Sequence, residues 1–292
     1  MSTPLRVAGF LVALVAVFAA SLGVGRAVGP LDPAPAEHAA AAAHDGGHET
    51  SSTEPAAHLP GGLAIAQDGY ALALERSRAE AGERTPLSFT ITGPDGTPVT
   101  AYDVEHERRL HLIAVRRDAS GYQHVHPTLD ETTGTWSTRL ALAPGDWRLL
   151  ADFTPSGAEG LTLGADLAVA GAFTPEPPRA VSRTALVDGY RVSVEGELTP
   201  GTDSPLTLTV HRGGAPVTDL QPYLGAFGHL VALRDGDLAY LHVHPEESSS
   251  AGPEIRFVAE VPSAGSYHLY LDFRHGGRVR TAELTLRAED AP

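Results

Sequence analysis

The chain has 292 residues, 42% of them hydrophobic and 20% charged, enough for packed cores in two domains of ordinary size. Its net charge of −15 leaves no basic face for a nucleic acid and favours cations instead. With no cysteine there is no disulfide, thiolate metal site, thiol nucleophile or blue-copper centre, and Met1 as the lone methionine excludes a thioether Cu(I) site.

The N-terminus carries an uncharged run of 19 residues, Val7 to Gly25, between Arg6 and Arg26. This predicts a signal anchor or signal peptide over residues 1–28. The length favours an uncleaved transmembrane helix, while Ala19, Ala20 and Ser21 leave cleavage open. Either outcome places the rest of the chain outside the cytoplasmic membrane, anchored to the cell membrane or secreted. Residues 29–61 lack helical or strand periodicity and are rich in Ala, Pro and His, so a disordered linker is expected. Its His38, His44, His48 and His58 make it either a plain tether or a weak metal-collecting tail.

The remainder is an internal repeat. "DGYALALE" from Asp68 returns as "DGYRVSVE" from Asp188, and "GDWRLLADF" from Gly145 returns as "GSYHLYLDF" from Gly265, with an offset of 118–120 residues throughout. "TPEPPRA" (174–180) is the Pro-rich joint, so the domains are 62–173 and 181–290. Short alternating segments such as "LSFTIT" and "WSTRLAL", separated by Gly, Pro and Asp turns, predict an all-β chain of two tandem immunoglobulin-like β-sandwich domains. A closed barrel is the alternative.

Within each repeat one segment carries three imidazoles at the same spacing. "LHLIAVRRDASGYQHVHP" holds His111, His124 and His126, and "GHLVALRDGDLAYLHVHP" holds His229, His242 and His244. Asp235-Gly236 reads as a two-residue type I′ turn, which would pair Arg234 with Asp237 and set His229 directly opposite His242. Directly opposed residues have Cβ atoms about 4.5–5.5 Å apart, and His244, two residues on, points to the same face. Each hairpin is thus expected to gather three imidazoles, and the two sets form separate sites or face one another across the domain joint. In the first repeat, "RDAS" defines the register less sharply, and an odd-length loop would send His111 to the other face. The repeats diverge at most positions yet keep these histidines and the following proline, whereas His106, His211, His268 and His275 have no counterpart.

Three imidazoles suit a divalent metal, with Cu(II) or Zn(II) the expected ion. The repeated acids Asp152 and Asp272 are candidate further ligands. No nucleophile elbow, phosphate loop or dinucleotide fingerprint is present, so no catalytic role is read. The alternative is a structural or interaction module whose histidines bond backbone at strand ends.

These stretches, with "LTLGADLAVAG" and "VRTAELTL", resemble a family of actinobacterial secreted or membrane-anchored proteins with tandem HxHP-containing β-sandwich domains. Those domains are loosely similar to YtkA-like and CopC-like copper-associated extracytoplasmic domains. The resemblance spans about Asp68 to Glu289 and implies a β-sandwich with a heavy-metal role at the cell envelope, where a protein partner is also conceivable.

Overall fold

The computed structural model describes residues 17–18, 59–246 and 248–289. The expected anchor (1–28) and linker (29–61), with His38, His44, His48 and His58, lie outside the described residues except for Val17 and Phe18, which are helical, and residues 59–61. Among the described residues, no helix is long and apolar enough to cross a membrane.

The first repeat contains β1 (Ala66–Gln67), β2 (Tyr70–Leu74), β3 (Arg78–Glu80), β4 (Gly82–Thr92), β5 (Leu110–Arg116), β6 (Gln123–Val125), β7 (Thr128–Asp130), β8 (Thr135–Leu142), β9 (Gly145–Phe153) and β10 (Leu161–Ala170). They form two sheets, β1-β2-β4-β8-β7 and β3-β10-β9-β5-β6, in which only β3 and β10 pair in parallel. The second repeat contains β11 (Thr184–Val187), β12 (Tyr190–Glu195), β13 (Asp203–Arg212), β14 (Ala215–Pro216), β15 (His229–Arg234), β16 (Tyr240–Leu241), β17 (Val243–Pro245), β18 (Glu254–Glu260), β19 (Gly265–His275) and β20 (Arg278–Ala288). Its sheets are β11-β12-β13-β18-β17, with β14 beside β13, and β16-β15-β19-β20. In both repeats one sheet has the A-B-E-D order and the other the G-F-C order of immunoglobulin domains, so each is an open sandwich and not a closed barrel.

Alternation along the strands fills each sandwich. Leu110, Leu112, Ala114, Trp147, Leu149, Ala151 and Phe153 pack inside the first, and Leu230, Ala232, Leu269, Leu271 and Phe273 inside the second. Yet β5 and β15 are buried on both faces and so read as continuous apolar runs, "LIAV" and "LVAL". Their opposite faces meet. Ile113, Val115, Ala119 and Leu150 of the first repeat pack with Val231, Leu233, Leu238 and Tyr270 of the second, forming a third core between the sandwiches. Equivalent positions of the two repeats face one another, as across an isologous dimer contact. Tyr122 stacks on Tyr270 with ring centroids 3.9 Å apart, and the Tyr270 hydroxyl donates to the Ala119 carbonyl at 2.7 Å. Tyr270→Phe keeps the stacking and orphans that buried carbonyl. It is expected to cost about 1–3 kcal/mol, read as a lower denaturant midpoint at unchanged m-value.

A strap at residues 60–64 seals one edge of this seam. Gly62 N–H donates to Thr162 O at 2.7 Å and Tyr240 N–H donates to Gly61 O at 2.8 Å, so the strap is bonded to both repeats. Arg148 donates to the Gly62 and Leu63 carbonyls. Gly164 allows the approach, because a Cβ there would run into Gly62 O and the Arg148 guanidinium.

The turn between β15 and β16 departs from the sequence expectation. The strands pair Ala232 with Leu241 and Leu233 with Tyr240, so the loop is longer than Asp235-Gly236 and the register moves by two residues. Asp237 explains the change: its carboxylate accepts from Ala239 N–H at 3.1 Å and from the Arg234 guanidinium. Leu238 adopts φ 60° and is 1% exposed in the third core. Burying Leu238 outweighs the preference of Asp-Gly for a tight turn. A slip of two keeps every side chain on its face. In the first repeat Ile113 pairs with His124, so His111 stays on the face that meets the second repeat.

Candidate metal centre

His111 lies on β5, His124 on β6, His126 just beyond β6, and His229 opens β15. All belong to the outward face that builds the seam, and at its rim the apolar residues give way to imidazoles. The ring of His111 lies 5.2 Å from His124, 5.0 Å from His126 and 5.3 Å from His229, the last nearly parallel at 12°. His124 lies 4.7 Å from His229. Ligand atoms of His111, His124 and His229 all fall within 4.8 Å of one another. The two repeats therefore contribute to one cluster, a point the sequence pattern left open.

His242 and His244 do not join it. In the second repeat the chain leaves β16 after Leu241 and already pairs with β18 at Val243, so His242 sits at the crossing between sheets. Both rings are exposed, 4.0 Å apart, and lie beside Glu260. The expected convergence of His229 with His242 and His244 is thus corrected by the early change of sheet.

Asp152 and Asp272 stand directly opposite His111 and His229 on β9 and β19. Both carboxylates are engaged by side chains. Asp272, 3% exposed, accepts from His124 Nδ1 at 2.9 Å and from the Thr281 hydroxyl at 2.5 Å. Asp152 accepts from the Thr162 hydroxyl at 2.8 Å and is also hydrogen-bonded by Tyr240. Asp272 thereby orients an imidazole from the other repeat, as carboxylates behind metal-bound histidines do. Burial pushes the Asp152 carboxyl up, opposed by the Thr162 hydrogen bond.

The proton arrangement carries the chemistry. His111 Nε2 lies 3.1 Å from the Glu105 carbonyl, and His124 Nδ1 faces the Asp272 carboxylate. A carbonyl and a carboxylate only accept, so each of those nitrogens carries a hydrogen, and in the neutral ring the other nitrogen carries the lone pair. Those remaining atoms, His111 Nδ1 and His124 Nε2, lie 3.0 Å apart. A proton or a metal ion between those two atoms would satisfy both. His229 Nδ1 and His126 Nε2, in the neighbouring rings, are buried and make no hydrogen bond. Metal–nitrogen bonds of about 2.0–2.1 Å in a tetrahedral site set nitrogens about 3.3 Å apart, close to the spacing seen. Burial, then the charge of His124, lowers His111 to about 4. Burial likewise lowers His126 to about 3 and holds His229 well below its usual value. These lowered values keep the three rings in the neutral form that a metal would need.

His106 was missed in the sequence because it lacks a counterpart. It sits at φ 46° with its ring 6.1 Å from His111 and 5.7 Å from His229, at the mouth of the cluster. Leu224, 118 residues on, has the same kind of backbone at φ 57°, so the loop is repeated although the side chain is not. His268 and His275 bond Asp235 and Asp219 elsewhere in the second repeat.

Asp272→Asn keeps an acceptor for His124 but removes the charge. It is expected to weaken metal binding about 10–100-fold, measured by competition with a chelator of known affinity.

Two immunoglobulin-like sandwiches with a histidine cluster in the seam between them define a tandem β-sandwich protein with a candidate metal centre. The chain belongs to the family described as Domain of unknown function (DUF8832), whose model matches residues 65–169 and 185–290. A search of curated proteins finds no match. Among solved structures, the Escherichia coli adhesin FdeC is similar at 16% identity over 78% of this chain and 66% of its own, with a TM-score of 0.24. Yersinia pseudotuberculosis InvD is similar at 13% identity over 78% of this chain and 59% of its own, with a TM-score of 0.26. A Salmonella alpha-2-macroglobulin mutant is similar at 17% identity over 78% and 15%, with a TM-score of 0.27. This chain thus spans less than two thirds of each.

Proposed function

We propose that this protein binds one divalent copper or zinc ion between its two domains, through His111, His124 and His229 with His126 alongside, and serves metal buffering, delivery or sensing at the cell envelope. The observation that carries this reading is the 3.0 Å approach of His111 Nδ1 to His124 Nε2, each ring held from behind by an acceptor. A shared proton would relieve that pair alone. A metal ion also employs the buried nitrogens of His229 and His126. The absence of cysteine and of methionine beyond Met1 favours imidazole-bound Cu(II) or Zn(II) over Cu(I). The apolar run at Val7 to Gly25 supports a location outside the cytoplasmic membrane, and the role is binding without catalysis.

Calorimetric titration of the full chain with Cu(II) and Zn(II) near pH 7 tests this. Saturable binding at about micromolar or tighter, with a rise in melting temperature, is the expected result. A second reading, a spacer or interaction module, draws on the third core, which joins the repeats without any ion. Absence of both saturable heat and thermal stabilisation would establish that module instead.

A further inference from the structure

We propose that His242, His244 and Glu260 form a second, solvent-facing divalent-metal site that loads the buried one. The proposal rests on the metal-binding reading above. Its basis is the change of sheet that removes His242 and His244 from the seam. β17 pairs Val243 with Ala259, and the Glu260 N–H donates to the His242 carbonyl at 3.0 Å. His242 and Glu260 are therefore directly opposed across two strands, and His244, two residues on, shares their face. Ligand atoms of all three lie within 4.8 Å of one another. Two imidazoles and a carboxylate make a donor set for the same borderline ions as the buried cluster. Held on paired strands, the set is positioned by backbone hydrogen bonds.

The two sites share a space. A cavity of about 480 Å³ is lined from both repeats, by His242 and His244 as well as by His111 and His229. His106 and Asp152 also line it. An ion entering the cavity meets the exposed pair, can exchange ligands one at a time, and reaches imidazoles that have been stripped of water. The exposed set should release its ion quickly, because solvent competes at every position. The buried set should release slowly, because Asp272 and the Glu105 carbonyl hold His124 and His111 in place. The net charge of −15 raises the local concentration of cations around the whole chain.

The test compares the full wild-type chain with the His242→Ala/His244→Ala variant, using Cu(II) followed by electron paramagnetic resonance for stoichiometry and by stopped-flow absorbance for loading. Any ion taken by the histidines of the N-terminal segment is common to both chains and cancels in the comparison. The replaced rings are exposed, so the variant should keep its melting temperature without metal. The expected result is one Cu(II) fewer per chain in the variant, with the buried site filling about tenfold or more slowly. Glu260→Gln should reproduce the slower filling in part. A variant that binds as many ions as wild type, or fills its buried site at the wild-type rate, overturns the proposal while leaving the buried site standing. A wild-type chain with no slowly released ion overturns the parent reading instead.

Discussion

His124→Ala and His229→Ala are each expected to abolish tight binding of the same single ion, although the two residues belong to different repeats. Their ligand atoms lie within 4.8 Å of each other and of His111, so either change removes a donor from one shared set. The loss should exceed the roughly 10–100-fold that follows from losing a mere supporting partner. Calorimetry on both variants checks it. If each hairpin held its own ion, His124→Ala would retain a full-affinity site in the second repeat, and that result would sink the shared centre. The double variant should be no worse than either single one, because residues that act on one ion are not additive.

The metal-free chain is expected to lose stability steeply as pH falls from about 6.5 towards 4. The sign follows from proton counts. Unfolded, each histidine takes up a proton near its ordinary value of about 6.5. Folded, His111 resists protonation down to about 4 and His126 to about 3. Between these values the unfolded chain binds more protons, so stability rises with pH through the window. His111 alone corresponds to about 3 kcal/mol at roughly 1.4 kcal/mol per pH unit. His229 adds to this in the same direction, and His126 adds less than its shift implies because its ring is only half-buried. Urea midpoints measured from pH 7.5 to 4.5 in the presence of a chelator will show it. A midpoint that stays level from pH 7 to 5 contradicts the buried, neutral state of these rings. With metal bound, only the neutral form is competent, so the same fall in pH also releases the ion.

The internal repeat and the short alternating strands made the tandem sandwich legible in the sequence, and the observed strand orders bear that out. The apolar runs "LIAV" and "LVAL" carried a further message, burial on both faces, which becomes readable once the second covering surface is known to be the other repeat. The spacing of the histidines also marked the right side of the sheet, since side-chain alternation survives a slip of two residues. Three things lay beyond local pattern. The loop at Asp235 was decided by the burial of Leu238 against the other domain, a contact between residues more than a hundred positions apart. The point at which the chain changes sheets, after Leu241 in one repeat and beyond Val125 in the other, depends on competition between two partner strands. Asp272 stood out as a repeated acid, but that it serves His124 across the seam follows only from how the domains dock.

The seam has one more consequence. Because both halves of the centre sit on a single chain, its assembly does not depend on how many chains are present. Two separate subunits meeting through such a face would come apart on dilution and release whatever they held between them. Here the joint at residues 174–180 fixes an effective concentration of one half for the other, of order millimolar for a short linker. A dilute chain should keep its affinity unchanged. Fusion also frees the halves from obeying one symmetry: a two-fold dimer must build every off-axis site twice, whereas this chain could keep His124 inside and send His242 out.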